Sequence, residues 1–229
     1  MSTGISHRQA LLLQDMGIDV WIAQDAPDPV AEPVSEQVPG VATGSAAPDW
    51  QSLQDEVSNC QRCALSATRT RTVFGVGNPA ADIMLIGEAP GAEEDRQGEP
   101  FVGRAGKLLD AMLFSIGLDR DKVFICNVLK CRPPHNNDPE AEQIEACASY
   151  LDQQIAHVRP RLILALGRFA AHRLLDTDAP VWRMREADNT LPGSDIPLVV
   201  TYHPASLLRN PENKARAWQD LCKVRQLVN

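Results

Sequence analysis

Aromatic residues make up only 5% of the chain, and no apolar run approaches the roughly eighteen residues that a membrane span requires. A membrane partner is therefore not expected. Arg8 is the one basic residue near the start, and the apolar stretch behind it is broken by Gln14 and Asp15, a pattern that does not make a secretory signal. The expected compartment is the cytoplasm. Positive charge is also scarce: 22 Lys and Arg face 30 Asp and Glu, a net charge of −8 that argues against a phosphate-binding surface. What is present, 44% apolar and 23% charged residues, is the composition of a soluble globular protein and excludes collagen-like, mucin-like and wholly disordered chains.

The charge is unevenly placed. Residues 1–56 hold nine acids against Arg8 alone, and the rest of the chain carries equal numbers of acids and bases. Within that neutral part, Arg62, Arg69 and Arg71 lie in a stretch with no acid between Val57 and Ala81. Such a patch suits a DNA backbone and equally suits a solvated loop.

Residues 1–25 read as an N-terminal helical peptide, with an amphipathic pattern from His7 to Ile22. Residues 26–48 hold five prolines and no aromatic, the mark of an acidic, Pro/Ala-rich linker. Residues 49–229 form the catalytic-sized body. Four apolar, branched runs in it predict buried strands at Asp82–Ile86, Lys122–Leu129, Arg161–Leu166 and Pro197–Tyr202. Helical patterns cover Arg104–Ile116, Pro139–Val158, Arg168–Leu175 and Pro211–Leu227, with Asp138 as the expected N-cap of the second. Alternating strands and helices predict an α/β fold: a three-layer α/β/α sandwich around a central, mainly parallel four-stranded sheet. Ligands in such sheets bind beyond the carboxyl ends of the strands.

Three polar motifs sit at those ends. The first strand runs into Gly87-Glu88-Ala89-Pro90-Gly91-Ala92-Glu93-Glu94-Asp95, a turn without the Gly-Lys-Ser/Thr element of a phosphate loop, whose carboxylates suit a divalent metal or a solvated loop. The second strand carries Asn127, an amide in apolar surroundings that must find partners. It is either structural or a base reader: its oxygen can accept from a ring N3–H while its NH2 donates to a 4-oxo group, which fits uracil and rejects cytosine. The last strand delivers His203 before Pro204, either a packed core histidine or a neutral donor to a leaving group. Ser206-Leu207-Leu208-Arg209 follows on the same edge; a leucine there can wedge into a base stack and Arg209 can contact phosphate, or both leucines can pack in the core.

Among the six cysteines, Cys60 and Cys63 form a C-x2-C pair, and Cys131 and Cys147 lie fifteen residues apart. In a reducing compartment they point to a metal or cofactor rather than disulfides. Four thiolates suit a [4Fe–4S] cluster or zinc, and the wide second pair departs from the tight knuckles usual for structural zinc. Cys126 and Cys222 fit core patterns.

The motifs Cys60-Gln61-Arg62-Cys63, Gly87–Asp95 continuing into Gly98–Leu109, Asn127–Pro134 with Cys147, and His203–Pro211 together resemble the family 4 uracil-DNA glycosylases, the iron–sulfur branch of the uracil-DNA glycosylase superfamily. The resemblance covers residues 49–229 and implies a DNA-repair hydrolase that flips uracil out of single- or double-stranded DNA and hydrolyses its N-glycosidic bond. It implies that Phe101 stacks on the base, that Asn127 reads its 3 and 4 positions and that His203 supports charge on O2. The turn at Gly87 and Glu88 would wall the pocket and help position water, and the four cysteines would hold the cluster. A monomer is expected, with a protein partner for the N-terminal peptide. Two departures stand out. Ala89 occupies the place of a water-orienting Asp, which leaves Glu88, Glu94 or a main-chain carbonyl for that task. His135 lies near the loop position where a related branch captures DNA covalently, although that branch's basic insertion is absent. Covalent capture and a damaged-base binder without turnover are the alternatives.

Overall fold

The computed structural model describes residues 49–228, so the expected N-terminal helix and linker lie outside the described residues. The four apolar runs form strands β2 (Ile83–Gly87), β3 (Val123–Asn127), β4 (Leu162–Leu166) and β6 (Pro197–Thr201). They pair in parallel in the order β3-β2-β4-β6. Residues of β2, β3 and β4 are buried throughout, because helices cover both faces of the sheet.

Side-chain alternation sorts the core into two layers. Met84, Ile86, Phe124, Ile163, Ala165 and Val200 face one side. There they meet Leu151 and Ile155 of α4 (Ala141–Val158) and Ala170, Ala171 and Leu174 of α5 (Arg168–Leu175). Ile83, Leu85, Ile125, Leu162, Leu164 and Val199 face the other side. There they meet Leu109 and Leu113 of α3 (Arg104–Ser115) and Leu221 and Val224 of α8 (Lys214–Val228). The expected three-layer α/β/α fold follows.

The sheet has six strands rather than four. Two-residue pieces, β1 (Val76–Gly77) and β5 (Asn189–Thr190), pair antiparallel with β3 and β6 at the edges. They carry no apolar run and so leave no periodic signal. At Gly77, with φ +108°, a Cβ would lie 2.0 Å from the Val123 carbonyl oxygen, so that edge pairing requires glycine. Four short helices escape the sequence pattern too: α1 (Trp50–Ser58), α2 (Ala92–Gln97), α6 (Val181–Glu186) and α7 (Pro204–Arg209).

Helix α4 corrects the expected cap. Its N-cap is Glu140, boxed with Gln143: the Glu140 N–H donates to Gln143 Oε1 at 3.1 Å and Gln143 Nε2 donates to Glu140 Oε2 at 3.0 Å. Asp138 instead pairs with Arg168 at 2.8 Å. No helix among the described residues is long and apolar enough to cross a membrane.

Candidate active site

Register places Gly87 beside Asn127 and Leu166 beside Thr201, so β2, β3, β4 and β6 end along one edge. A cavity of about 350 Å³ opens there, bounded by Glu88, Glu94, Phe101, Asn127, His203 and Arg209, with Pro133, Asn136, Asn137 and Asp138 as the facing wall. The expected residues from the three strand ends therefore meet in one place.

Close approach depends on missing side chains. A Cβ on Gly87 would lie 2.4 Å from Asn127 Oδ1 and 2.6 Å from Phe101 Cζ. Phe101 is held in the left-handed region at φ 55°, an uncommon state for a bulky residue. The Arg120 guanidinium donates to its carbonyl oxygen and to that of Pro100, the latter at 3.1 Å. Gly106 opens α3 to the same carbonyl, where a Cβ would sit 1.7 Å away. These contacts hold the Phe101 ring against the cavity, its centroid 5.5 Å from that of His203.

The carboxylates of the β2 turn divide their work, so they do not form a common cation site. Glu94, at the third position of α2, accepts from Gly91 N–H at 3.1 Å and from the N–H groups of Val102 and Gly103 at 3.0 Å each, clipping the turn to the Phe101 loop. Buried Asp95 accepts from Thr70 and Arg71 N–H at 2.8 and 3.3 Å, tying α2 to the cysteine loop. Glu93 pairs outward with Arg96. Among the described residues, Glu88 is the cavity carboxylate that neither accepts a hydrogen bond nor forms an ion pair, since Asp138 is paired with Arg168. Burial, and then the negative charge of Asp138, push its carboxyl up to about 7 against the pull of Arg168 and Arg209. Ala89 packs against the cysteine region while also lining the cavity.

Asn127 is 2% exposed, and its Oδ1 is the buried side-chain polar atom left without a partner among the described residues. A buried amide oxygen with nothing to accept is costly, and a ligand N–H at the cavity end would satisfy it. His203 caps α7, its Nδ1 accepting from Ala205 N–H at 3.1 Å, which fixes the neutral ring's proton on Nε2. Burial, followed by the Arg209 charge, drives its pKa down to about 4 despite the opposing pull of Glu94. The ring is neutral at physiological pH.

Cys131 and Cys147 are buried, Cys60 and Cys63 partly so, and all four are free thiols. Arg69 Nη1 donates to Cys131 Sγ at 3.2 Å, and the Arg62 main-chain N–H donates to Cys60 Sγ at 3.5 Å. Burial pushes the Cys131 thiol up to about 11, with Arg69 opposing and Cys147 and Cys63 adding to the rise. Burial likewise raises Cys147, with Lys130 opposing and Cys63 and Cys60 adding. The four thiols thus form one electrostatic group with N–H donors aimed at sulfur. Four free thiols with cationic neighbours fit an anionic thiolate-bound centre, although no His, Cys, Asp or Glu group among the described residues stands in ligating geometry.

The arginine patch separates. Arg62 covers the Tyr150 ring at 4.2 Å and donates to Ser149 Oγ at 2.7 Å. Arg69 is turned onto Cys131 and the Cys60 carbonyl, the latter at 2.7 Å. Arg71 stays exposed. Leu207 is 1% exposed within the core, whereas Leu208 is 39% exposed beside Arg209. Sequence reasoning missed Asp138 and Arg168, which set the charge around Glu88. A Gly-Arg pair at the carboxyl end of the third central strand was the signal for Arg168.

The family model for the uracil DNA glycosylase superfamily matches residues 74–222. The chain belongs to that superfamily. The matched span holds the whole cavity together with Cys131 and Cys147, and Cys60 and Cys63 precede it. Among superfamily relatives, the chain is 44% identical over 188 residues to the type-4 uracil-DNA glycosylase of Archaeoglobus fulgidus, covering 77% of this chain and 94% of that protein. To the type-4 uracil-DNA glycosylase of Thermotoga maritima it is 39% identical over 180 residues, 77% of this chain and 93% of the other. A type-5 uracil-DNA glycosylase of Pyrobaculum aerophilum is 31% identical over 189 residues, 69% of this chain and 83% of the other.

Proposed function

We propose that this protein is a uracil-DNA glycosylase, which receives uracil flipped from DNA and hydrolyses its N-glycosidic bond to leave an abasic site. The observation that carries the reading is the unpartnered Oδ1 of buried Asn127 at a cavity walled by Phe101 and His203. The likeness to type-4 enzymes supports the same conclusion.

In this mechanism Phe101 stacks on the base, Asn127 Oδ1 accepts from N3–H and its NH2 donates to O4. Cytosine offers an acceptor and a donor at those two places and is refused. The bond between sugar C1′ and uracil N1 breaks with its electron pair moving into the base, and neutral His203 donates from Nε2 to the charge growing on O2. A water then adds to the oxocarbenium-like C1′, and its proton passes to the Glu88 carboxylate, the free carboxylate of the cavity. Glu94 braces the turn. Leu208 enters the gap left by the flipped base, while Arg71 and Arg209 contact phosphate.

Cys60, Cys63, Cys131 and Cys147 would hold a [4Fe–4S] cluster, with zinc as the alternative. When bound, that group supplies a cross-link between the loop at 60–63 and the segment after Asn127. The reading takes the enzyme as a cytoplasmic monomer acting on single- and double-stranded DNA, its N-terminal peptide (residues 1–25) joined by the linker (26–48) and available to a protein partner.

The test is incubation with a uracil-containing oligonucleotide, followed by alkali and denaturing electrophoresis. Alkali-dependent breaks are expected. A slow-migrating adduct would favour covalent capture through His135, and intact DNA would leave a binder without turnover.

A further inference from the structure

Lys130 follows Asn127 by three residues and is 1% exposed, an unusual place for an ammonium group. Its Nζ donates to the Asn127 carbonyl at 2.6 Å and to Gln154 Oε1 at 2.6 Å. Gln154, fully buried on α4, donates in turn to the Phe74 carbonyl at 2.9 Å. These bonds lie where β1 parts from β3: the strand ladder ends at Val76 opposite Ile125, and the two main chains meet again where Val73 N–H donates to the Lys130 carbonyl at 2.8 Å. Past that point Asn127 and Phe74 hold carbonyls that no strand partner satisfies. The Lys130–Gln154 pair spans the gap with side chains.

The same residue also adjoins the cysteines: it precedes Cys131, and its main-chain N–H opposes the rise that burial imposes on the Cys147 thiol. On the pocket side the chain stays in step with the β2 turn, Val128 N–H donating to the Gly87 carbonyl and Leu129 N–H to that of Glu88, both at 3.0 Å. A methionine of similar length would fill the space without burying a polar group that must find partners. The buried amine therefore needs a reason beyond packing.

We propose that Lys130 is a positioning residue for the base reader: it fixes the main chain of Asn127 from the cysteine side, so that the unpartnered side-chain oxygen is presented at one height in the cavity. The inference rests on Asn127 being the reader. Lys130 touches no substrate, and its effect passes through Asn127 alone.

A double-mutant cycle tests it. Lys130→Met, Asn127→Ala and the double variant are compared in kcat/KM on a uracil-containing single strand, in affinity for free uracil by equilibrium dialysis, in bound metal and in melting temperature. Lys130→Met is expected to lose about 10- to 100-fold in kcat/KM, the range for groups that orient a functional side chain, with weaker uracil binding and unchanged metal. In the Asn127→Ala background the same change should cost no further activity, while its stability loss persists in both backgrounds. Losses that multiply, or metal lost in step with activity, would overturn the proposal. Wild-type behaviour of Asn127→Ala would sink the reader itself, an outcome distinct from multiplied losses with Asn127→Ala impaired. If Lys130→Met does not fold, Gln154→Met removes the anchor of the amine, and a several-fold loss that vanishes in Asn127→Ala is expected in the same cycle.

Discussion

The two ends of the Asn127–Cys131 segment are built on opposite terms. At Cys131 the surroundings are satisfied: Arg69 donates to its sulfur, Lys130 is bonded on both sides, and Leu65 and Leu129 close over the thiols. At Asn127 the surroundings are left short, with a buried oxygen that accepts nothing and a glycine that keeps its neighbour bare. A region whose polar groups are answered from within is built to hold the chain together. A region that buries a polar atom and leaves it waiting is built for a ligand.

That contrast predicts where substitutions hurt. The largest effect is expected at the cysteines: Cys131→Ser should lose bound metal and with it most of the folded protein, because binding energy at such a centre is folding energy. Metal analysis and circular dichroism check this, and a folded, metal-free Cys131→Ser of full activity would break the contrast. Gly87→Ala comes next, in the opposite sense. Its methyl would displace Asn127 and Phe101, so excision should fall by about 10²-fold while stability drops by only about 1–3 kcal/mol.

The third effect separates activity from stability at one residue. In the proposed mechanism Glu88 works as the carboxylate, so the excision rate should fall as pH drops below about 7, and Glu88→Gln should remove that limb and slow the reaction by up to about 10²-fold. Its carboxyl is raised from 4.5 to about 7, so the native state keeps a proton that the unfolded chain has released. That contribution is complete below about pH 4.5 and is lost as pH rises through 7. Glu88→Gln should therefore melt like the wild type at about pH 4 and above it at about pH 8, as calorimetry at both values would show. The smallest effect is at α7. Leu208→Ala should weaken excision several-fold on duplex DNA and hardly at all on single strands, with unchanged melting. Leu207→Ala should cost about 2–5 kcal/mol of stability and affect both substrates alike.

Much of this was legible because the strands advertise themselves. Runs such as Ile83–Ile86 are apolar at every position, as a sheet covered on both faces demands, and their carboxyl ends led straight to Glu88, Asn127 and His203. What could not be read was the partner of each charge. Arg69 in sequence is one of three loop arginines, and only the folded chain turns it onto Cys131. Glu94 has the look of a reacting carboxylate, yet three main-chain N–H groups use both its oxygens. Lys130 gave no signal, since a lysine after Val-Leu reads as the solvated end of a strand. Asp138 stood at a favourable cap position and was drawn away by Arg168, a residue thirty positions later.

The most direct measurement on the central claim is uracil excision by Asn127→Leu beside its melting temperature. The side chains are close in size and shape, but leucine can neither accept from N3–H nor donate to O4, and it removes a buried oxygen that has no partner among the described residues. A fall of about 10²- to 10³-fold with melting unchanged is the predicted result. Excision at the wild-type rate, or a collapse in stability that accounts for the loss, would contradict the reading of Asn127 as the residue that waits for uracil.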